Sequence, residues 1–201
     1  MKPSEKFKNK TSKTGLYNIM PLNNIPSVLQ NGILSYQLAK KISHQSVAMH
    51  NIQSKRDEVI IPNGMKLHEY ANLYFDARNP MLYKRKDEDI CVLKIKPEIL
   101  DIPNVIIADQ NASSAYVKFD EPHSALDYLK FDMIYAKYWT DDNPFIGYEK
   151  KSVKCAEVLV PHKIQPEYII AAAVKNKEDG DKLHSAGFQL KIYIEPELFF
   201  G

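Results

Sequence analysis

The chain has 201 residues, which is enough for one domain or at most two small ones. Hydrophobic residues make up 44% of it, a fraction that can bury a sizeable core and that excludes a disordered chain. The formal net charge of +2 excludes a strongly basic nucleic-acid coat, although it leaves room for a local basic groove.

The sequence contains no apolar run long enough to span a membrane, so we expect no contact with one. Its polar, lysine-rich start has the pattern of neither a signal peptide nor a membrane anchor. Cys91 and Cys155 lie far apart in candidate strands, which favours two buried free thiols in a reducing cytoplasm over a disulfide. Because the His and Cys residues lack the spacing of metal ligands, we expect no metal.

Short strands and helices follow one another along the chain at irregular intervals. Alternating or continuous apolar patterns predict strands at residues 15–20, 73–75, 89–96, 105–108, 156–160, 168–174 and 189–194. Helical periodicity, with start and end signals, predicts helices at residues 23–32, 36–42, 177–186 and in the middle of 116–138. This order indicates an α+β fold and not a doubly wound sheet.

Residues 1–14 are predicted to be a flexible N-terminal arm, and residues 15–201 a single domain without repeats or a linker. A long polar loop is expected to follow the helix at residues 36–42 and to extend to residue 66. A loop of this length inside a compact domain is usually functional or a lid.

Glu157 is a carboxylate inside the otherwise apolar strand at residues 156–160. Burying it costs several kcal/mol unless it is paired or lines a wet cleft. The preceding polar and aromatic segment, residues 138–148, is expected to be a mobile loop, and three lysines follow it. Together they indicate a site for a sugar cation beside a polyanion. A glutamate that points into solvent from an edge strand is an equally good interpretation of this stretch alone.

Glycine-rich phosphate loops, the GxGxxG fingerprint and the GxSxG nucleophile motif are all absent from the sequence. What remains is a series of short polar motifs, each next to a predicted strand. They lie at residues 17–20, 78–83 and 109–113 and at Glu157.

The ordered motifs resemble the DarT family, toxins of bacterial toxin–antitoxin modules that ADP-ribosylate DNA bases with NAD. The resemblance runs from residue 15 to residue 200. It rests on residues 16–19, 24–35, 74–83, 109–112, 138–141, 155–161 and 194–200. It implies an ADP-ribosyltransferase fold, with a central split sheet and peripheral helices. It also implies NAD as the ADP-ribose donor without a metal, single-stranded DNA as acceptor, a monomer, and a macrodomain-type antitoxin as partner.

The resemblance also implies the residues of the site. Those expected to be catalytic are Glu157 and Arg78. Those expected to bind NAD are Tyr17, Asn18, Ile19, Met20, Asn24, Gly32, Leu34, Arg78 and Tyr83. Those expected to bind DNA are Tyr138, Trp139, Tyr148, Lys150, Lys151 and Lys154. The family usually has a histidine, which helps to hold the ribose of NAD, where this chain has Asn18.

Physical chemistry agrees with these roles. Breaking the nicotinamide–ribose bond creates an oxocarbenium-like sugar, and a fixed carboxylate such as Glu157 stabilises its charge. The guanidinium of Arg78 can clamp an anionic oxygen or polarise a base carbonyl, although a salt bridge with Asp76 is the simpler alternative. The aromatic residues at 138–148 can stack on splayed bases. A base inside a duplex is out of reach, so the DNA should be single-stranded or flipped.

Other functions stay open at this stage. The same fold could modify RNA or protein, or transfer a phosphate from RNA to NAD. A non-catalytic nucleic-acid-binding module on a decayed transferase scaffold is the alternative from another class. Asn18 supports decay, whereas the presence of Arg78 and Glu157 opposes it.

Overall fold

The structure is a computed structural model and describes residues 1–45 and 56–201. The strands are β1 (Leu16–Pro21), β2 (Ile33–Leu34), β3 (Tyr70–Tyr74), β4 (Ile90–Ile95), β5 (Ile106–Ala108), β6 (Phe119–Asp120), β7 (Glu157–Pro161), β8 (Lys163–Ile164), β9 (Ile169–Val174) and β10 (Lys191–Ile194). The α-helices are α1 (Pro3–Thr11), α2 (Ile25–Asn31), α3 (Tyr36–Ala39), α4 (Pro80–Arg85), α5 (Pro122–Tyr128), α6 (Phe131–Ile134), α7 (Pro144–Val153) and α8 (Lys177–Ser185). Short 3-10 turns lie at Leu22–Asn24, Leu67–Glu69, Pro97–Asp101, Pro166–Tyr168 and Pro196–Phe199.

Eight strands form one mixed sheet in the order β10-β9-β4-β1-β3-β7-β5-β6. Neighbouring strands are antiparallel except β9 and β10, which are parallel. The strands β2 and β8 pair separately. Each predicted strand is present within a few residues of its expected bounds, and the helices pack around the sheet. The predicted α+β class is therefore confirmed.

The sheet is split between β1 and β3. The described residues pair these two strands at a single position, Tyr17 with Tyr74. Beyond it, β1 stays paired with β4 along its whole length, and β3 stays paired with β7. Because each strand follows a different neighbour, the two halves of the sheet diverge there. The expected split sheet is thus present, and the divergence opens a cavity.

The N-terminal segment is a docked helix, so the predicted flexible arm is wrong for residues 3–11. Phe7 of α1 is completely buried, with its ring centroid 5.9 Å from that of Phe75. The backbone N and the hydroxyl of Ser4 both donate to the Asp101 carboxylate, at 2.9 and 2.6 Å. The lysine-rich composition suggested disorder, but one aromatic side chain and distant partners anchor the helix.

The segment before Glu157 is more ordered than expected, because residues 144–153 form helix α7 where a mobile loop was predicted up to residue 148. The Oδ1 of Asn143 accepts a hydrogen bond from the backbone N of Phe145 at 3.0 Å, and Pro144 begins the helix. These are standard helix-start signals. The helix ends just before β7. Residues 46–55 of the other predicted loop lie outside the described residues.

Both cysteines are buried free thiols, as predicted. Burial raises the pKa of Cys91 and of Cys155 to about 12, so both stay protonated and unreactive near neutral pH. Within residues 1–45 and 56–201, the helices are too short or too polar to cross a lipid bilayer.

Candidate active site

A cavity of about 420 Å³ opens where β1 and β3 diverge. Its volume lies in the ordinary range for small-molecule sites. Six of the predicted NAD-binding residues line it: Asn18, Ile19, Met20, Asn24, Gly32 and Leu34. Other parts of the wall come from α3, β3, α4 and the C-terminal part of α7, and from Arg56, His68 and the loop at residues 111–114. These six residues, predicted to bind NAD, therefore form one side of the same cavity.

Glu157 begins β7 next to Arg56 and Tyr74, which line this cavity, and is itself 0% exposed. Its carboxylate accepts two hydrogen bonds from the guanidinium of Arg56, Nη1 to Oε1 at 3.0 Å and Nη2 to Oε2 at 3.1 Å. The backbone N of Ala112 donates a third bond to Oε1 at 3.0 Å. Such bidentate pairing offsets the desolvation of a buried carboxylate. Glu157 is therefore held rigidly, and its alternative of pointing into solvent is excluded.

Arg56 lines the cavity and was missed by the sequence analysis. Burial lowers the pKa of this guanidinium, but the charge of Glu157 and the hydrogen bonds to it outweigh that effect and raise the pKa above its usual value. The available signal was the apolar strand around Glu157, which required a cationic partner. The sequence could not indicate which of its 27 Lys and Arg residues supplies it.

Tyr74 lies opposite Glu157 in the pairing of β3 with β7, and it is buried in the cavity wall. Burial, and secondly the charge of Glu157, raise the pKa of its phenol well above the usual value. The hydroxyl therefore stays neutral and can donate a hydrogen bond.

Asn18 is 6% exposed in the same wall. Its Nδ2 donates to the backbone carbonyl of Asn72 at 3.0 Å across the split. Its Oδ1 is buried and has no partner among the described residues. A buried acceptor left unpaired costs about 1–3 kcal/mol. A ligand hydroxyl or N–H at this position would remove that cost, so Asn18 is placed to bind a ligand.

Gly32 is required by a close approach of two strands. Its φ is +83°, and a Cβ atom built on it would lie 2.1 Å from the backbone oxygen of Ile164 in β8. Any other residue would therefore force β2 and β8 apart. Gly32 ends α2, as predicted, and directs Leu34 towards the cavity.

Arg78 and Tyr17, both predicted to bind NAD, do not line this cavity. Tyr17 precedes Asn18 in β1, and successive strand residues face opposite sides of a sheet. The Nη1 of Arg78 donates to the backbone carbonyl of Lys137 at 3.0 Å, and its guanidinium lies 4.2 Å from the ring centroid of Phe200. A turn before α4 directs Arg78 into a separate, shallow cavity of about 690 Å³.

Tyr83 belongs to a surface cluster and is half exposed. Its ring meets that of Phe200 edge-on at 5.0 Å and that of Trp139 at 6.3 Å. It does not line the main cavity, so its position gives no support to its predicted role in binding NAD.

Lys154 was expected to bind DNA, and this expectation is wrong because the side chain is buried. It is 1% exposed, and its Nζ donates to the Asp76 carboxylate and, at 2.7 Å, to the backbone carbonyl of Ile134. Burial lowers the pKa of this ammonium despite the opposing charge of Asp76. Asp76 therefore pairs with Lys154, and the alternative pairing with Arg78 is not formed.

The other predicted DNA-binding residues lie on or near the surface. Tyr148 and Lys151 of α7 line the cavity mouth, and Tyr138 is exposed on the preceding loop. Trp139 is half buried beside Phe200, at 5.8 Å between ring centroids. Lys150 forms a partly exposed salt bridge with Asp141 at 2.6 Å. Tyr148 and Lys151 thus lie where a strand entering the cavity would pass, whereas Trp139 belongs to the surface cluster of Tyr83 and Phe200.

A split sheet, a cavity at the split and a fixed glutamate on the adjoining strand together define an ADP-ribosyltransferase-like protein. The family model described as DarT, ssDNA thymidine ADP-ribosyltransferase, matches residues 17–200. This chain therefore belongs to the DarT family.

Two relatives show how the chain compares with longer proteins. A DNA ADP-ribosyl transferase–DNA ADP-ribosyl glycohydrolase fusion protein of Thermosipho africanus is 32% identical over 197 residues, which is 92% of this chain and 49% of the fusion protein. A DNA ADP-ribosyl transferase of Thermus aquaticus is 30% identical over 141 residues, 64% of each chain. The chain thus spans about half the length of the first relative.

Solved structures share the fold. Thermosipho africanus DarTG in complex with ADP-ribose superposes with a TM-score of 0.79 at 27% identity, covering 94% of this chain and 51% of that chain. Thermus sp. 2.9 DarT in complex with ADP-ribosylated ssDNA has a TM-score of 0.80 at 22% identity, covering 93% and 96%. The predicted fold is confirmed by these likenesses.

Proposed function

We propose that this chain transfers ADP-ribose from NAD to thymine bases of single-stranded DNA and releases nicotinamide. The observation that carries the proposal is the buried Glu157, fixed by Arg56 and Ala112 beside a cavity at the split of the sheet. Membership of the DarT family, the ssDNA thymidine ADP-ribosyltransferases, supports both the DNA and the thymidine.

Glu157 supplies electrostatic stabilisation in this reaction. The bond between nicotinamide and C1′ of the ribose breaks, and nicotinamide leaves with the electron pair of that bond. Positive charge develops on the sugar, and a carboxylate already fixed by three hydrogen bonds stabilises it without reorganising. A ring nitrogen of the base then forms the new bond to C1′ and releases its proton.

The charges around the cavity suit an anionic dinucleotide. Its described lining residues include Arg56, Lys84 and Lys151, and none of them is an Asp or Glu. Arg56 is already paired with Glu157, so the attraction for a pyrophosphate comes from the lysine ammonium groups of this wall. The free Oδ1 of Asn18 offers an acceptor to a ribose hydroxyl. We therefore place NAD, without a metal ion, in this cavity.

The acceptor strand would lie along α7 and the loop before it. Phe145 is 86% exposed, and Tyr148 and Tyr138 are exposed too, so flat rings are available to stack on unpaired bases. Lys150 and Lys151 in the last turns of the same helix can meet phosphates. Large aromatic side chains left in water on one helix face are otherwise costly.

We further propose that an antitoxin partner counteracts the activity. The Thermosipho africanus relative carries a DNA ADP-ribosyl glycohydrolase in the same chain, and a macrodomain-type antitoxin is implied by the sequence resemblance. A cytoplasmic location and a monomeric state stay predictions. Light scattering of the purified chain tests the monomeric state. Removal of the DNA label by a glycohydrolase tests the antitoxin partner.

The test of the main proposal is to incubate the purified chain with NAD and synthetic oligonucleotides. Mass spectrometry should find one ADP-ribose on thymine-containing single strands, together with released nicotinamide. Matched strands without thymine, duplexes, RNA and a folded protein serve as controls. Modification of RNA or protein alone would overturn the DNA acceptor. Oligonucleotide binding without NAD consumption would instead support a decayed scaffold, which the intact Arg56–Glu157 pair opposes.

A further inference from the structure

His68 lies in the wall of the active-site cavity, on the turn Leu67–Glu69 that leads into β3. It is 7% exposed. Its Nδ1 lies 2.6 Å from Oδ1 of Asp57. An ionised carboxylate only accepts hydrogen bonds, so Nδ1 carries the hydrogen and donates it. In the neutral ring the lone pair is then on Nε2, the atom that faces away from Asp57.

The Nε2 of His68 is buried and has no hydrogen-bond partner anywhere in residues 1–45 and 56–201. Buried polar side-chain atoms are nearly always paired, so an orphaned one at a cavity wall points to a missing donor. The ring cannot easily rotate to find another partner. Tyr36 packs against it with ring centroids 4.3 Å apart, and Lys40 lies over the ring of Tyr36.

His68 is neutral near pH 7, which keeps Nε2 an acceptor. Burial is the largest influence and lowers its pKa, the hydrogen bond and charge of Asp57 raise it, and the charges of Arg56 and Lys40 lower it. The net result is a pKa below the ordinary value of 6.5. The site therefore calls for a ligand group that donates.

We propose that Nε2 of His68 accepts a hydrogen bond from a hydroxyl or amino group of the bound dinucleotide. Asp57 acts as the positioning residue that fixes the tautomer and aims the lone pair into the cavity. This inference rests on the proposed function, because the dinucleotide is NAD. Ribose hydroxyls, the adenine amino group and the nicotinamide amide are the donors that NAD can offer.

The rival role for His68 is structural. Asp57 follows Arg56 in sequence, so the Asp57–His68 bond could serve only to hold the turn that carries Arg56 to Glu157. Two substitutions separate the roles. In His68→Asn the amide N–H lies near the position of Nδ1, which keeps the bond to Asp57 and removes the acceptor. In His68→Gln the amide oxygen reaches the position of Nε2, which keeps the acceptor and loses Asp57.

Calorimetry with NAD should find that His68→Asn weakens binding about three- to tenfold, the effect of one lost hydrogen bond. His68→Gln should bind close to the unaltered chain. The reverse order, or no change in His68→Asn, would overturn the inference and leave the proposed function intact. Failure of the unaltered chain to bind NAD would overturn both. Melting curves of both variants check that they are folded.

A spectroscopic readout identifies the donor. In protein labelled with ¹⁵N-histidine, the Nε2 resonance of His68 should shift when a hydrogen bond forms to its lone pair. ADP-ribose and nicotinamide are added separately, with His68→Gln used to assign the signal. A shift with either compound supports the inference and shows which half of NAD supplies the donor. A resonance that moves with neither compound nor with NAD would overturn it.

Discussion

Replacing Arg56 by Met should lower the free energy of unfolding. The size of the loss can be estimated from the buried ion pair between Arg56 and Glu157. Methionine has a similar length and no charge, so the carboxylate of Glu157 keeps only the hydrogen bond from Ala112. The two side chains are 11% and 1% exposed. Removing one partner of a buried pair typically costs about 3–5 kcal/mol. We expect about 3 kcal/mol, because the adjoining cavity can admit water to Glu157.

For a chain of this size, about 3 kcal/mol lowers the melting temperature by about 6–12 °C. Urea unfolding of both proteins, with NAD-dependent DNA labelling on the same samples, tests this reasoning.

Arg85→Met is the matched control, because Arg85 pairs with Glu88 at 2.6 Å on the partly exposed end of α4. Its loss should stay within about 1 kcal/mol and leave labelling unchanged. An Arg56→Met protein as stable as the unaltered chain would refute the buried ion pair.

Other substitutions separate chemistry, ligand binding and folding. Glu157→Gln should lower the labelling rate by about 10²–10³ while NAD still binds, as single-turnover kinetics would measure; undiminished turnover would exclude Glu157 from the reaction. Asn18→Ala should weaken NAD binding about three- to tenfold by calorimetry, because it removes the unpaired Oδ1; unchanged affinity would contradict its ligand role. Lys154→Met should lower the unfolding free energy by about 1–3 kcal/mol in urea melts and leave the KM for DNA alone. Lys151→Met should raise the KM for DNA and weaken the dependence of that KM on salt, and it should leave the unfolding free energy unchanged.

The sequence predicted most of the strands because their patterns are local. The sequence also predicted that Gly32 ends a helix, and this residue has the positive φ expected of a helix-ending glycine. The sequence could not predict contacts between residues that are far apart along the chain. Phe7 sits in an otherwise polar helix, so only its distant partner explains its burial. Arg56 and Glu157 are 101 positions apart, and nothing local identifies them as a pair.

Three lysines near the end of α7 show that residue type alone does not determine where a side chain lies. Lys150, Lys151 and Lys154 are alike as residue types, and a charge run normally lies in solvent. The turn between α7 and β7 sends the last of them inward to Asp76, while Lys151 remains at the cavity mouth. Helical geometry alone would place Lys150 and Lys154 on one face, but the helix ends at Val153, just before the lysine that is buried.

The split of the sheet connects the fold with the proposed chemistry. After Tyr17, the edge of β1 that faces β3 has no strand partner within the described residues. Backbone groups along a buried edge need partners, and on the facing edge of β3 the side chain of Asn18 satisfies one of them, the carbonyl of Asn72. A ligand that enters the split can satisfy others, as an added strand would at an ordinary sheet edge. Asn18 and His68 then present fixed polar atoms to the cavity, and Arg56 of its wall holds Glu157 behind it. The interrupted pairing therefore creates both the space for NAD and groups that bind it.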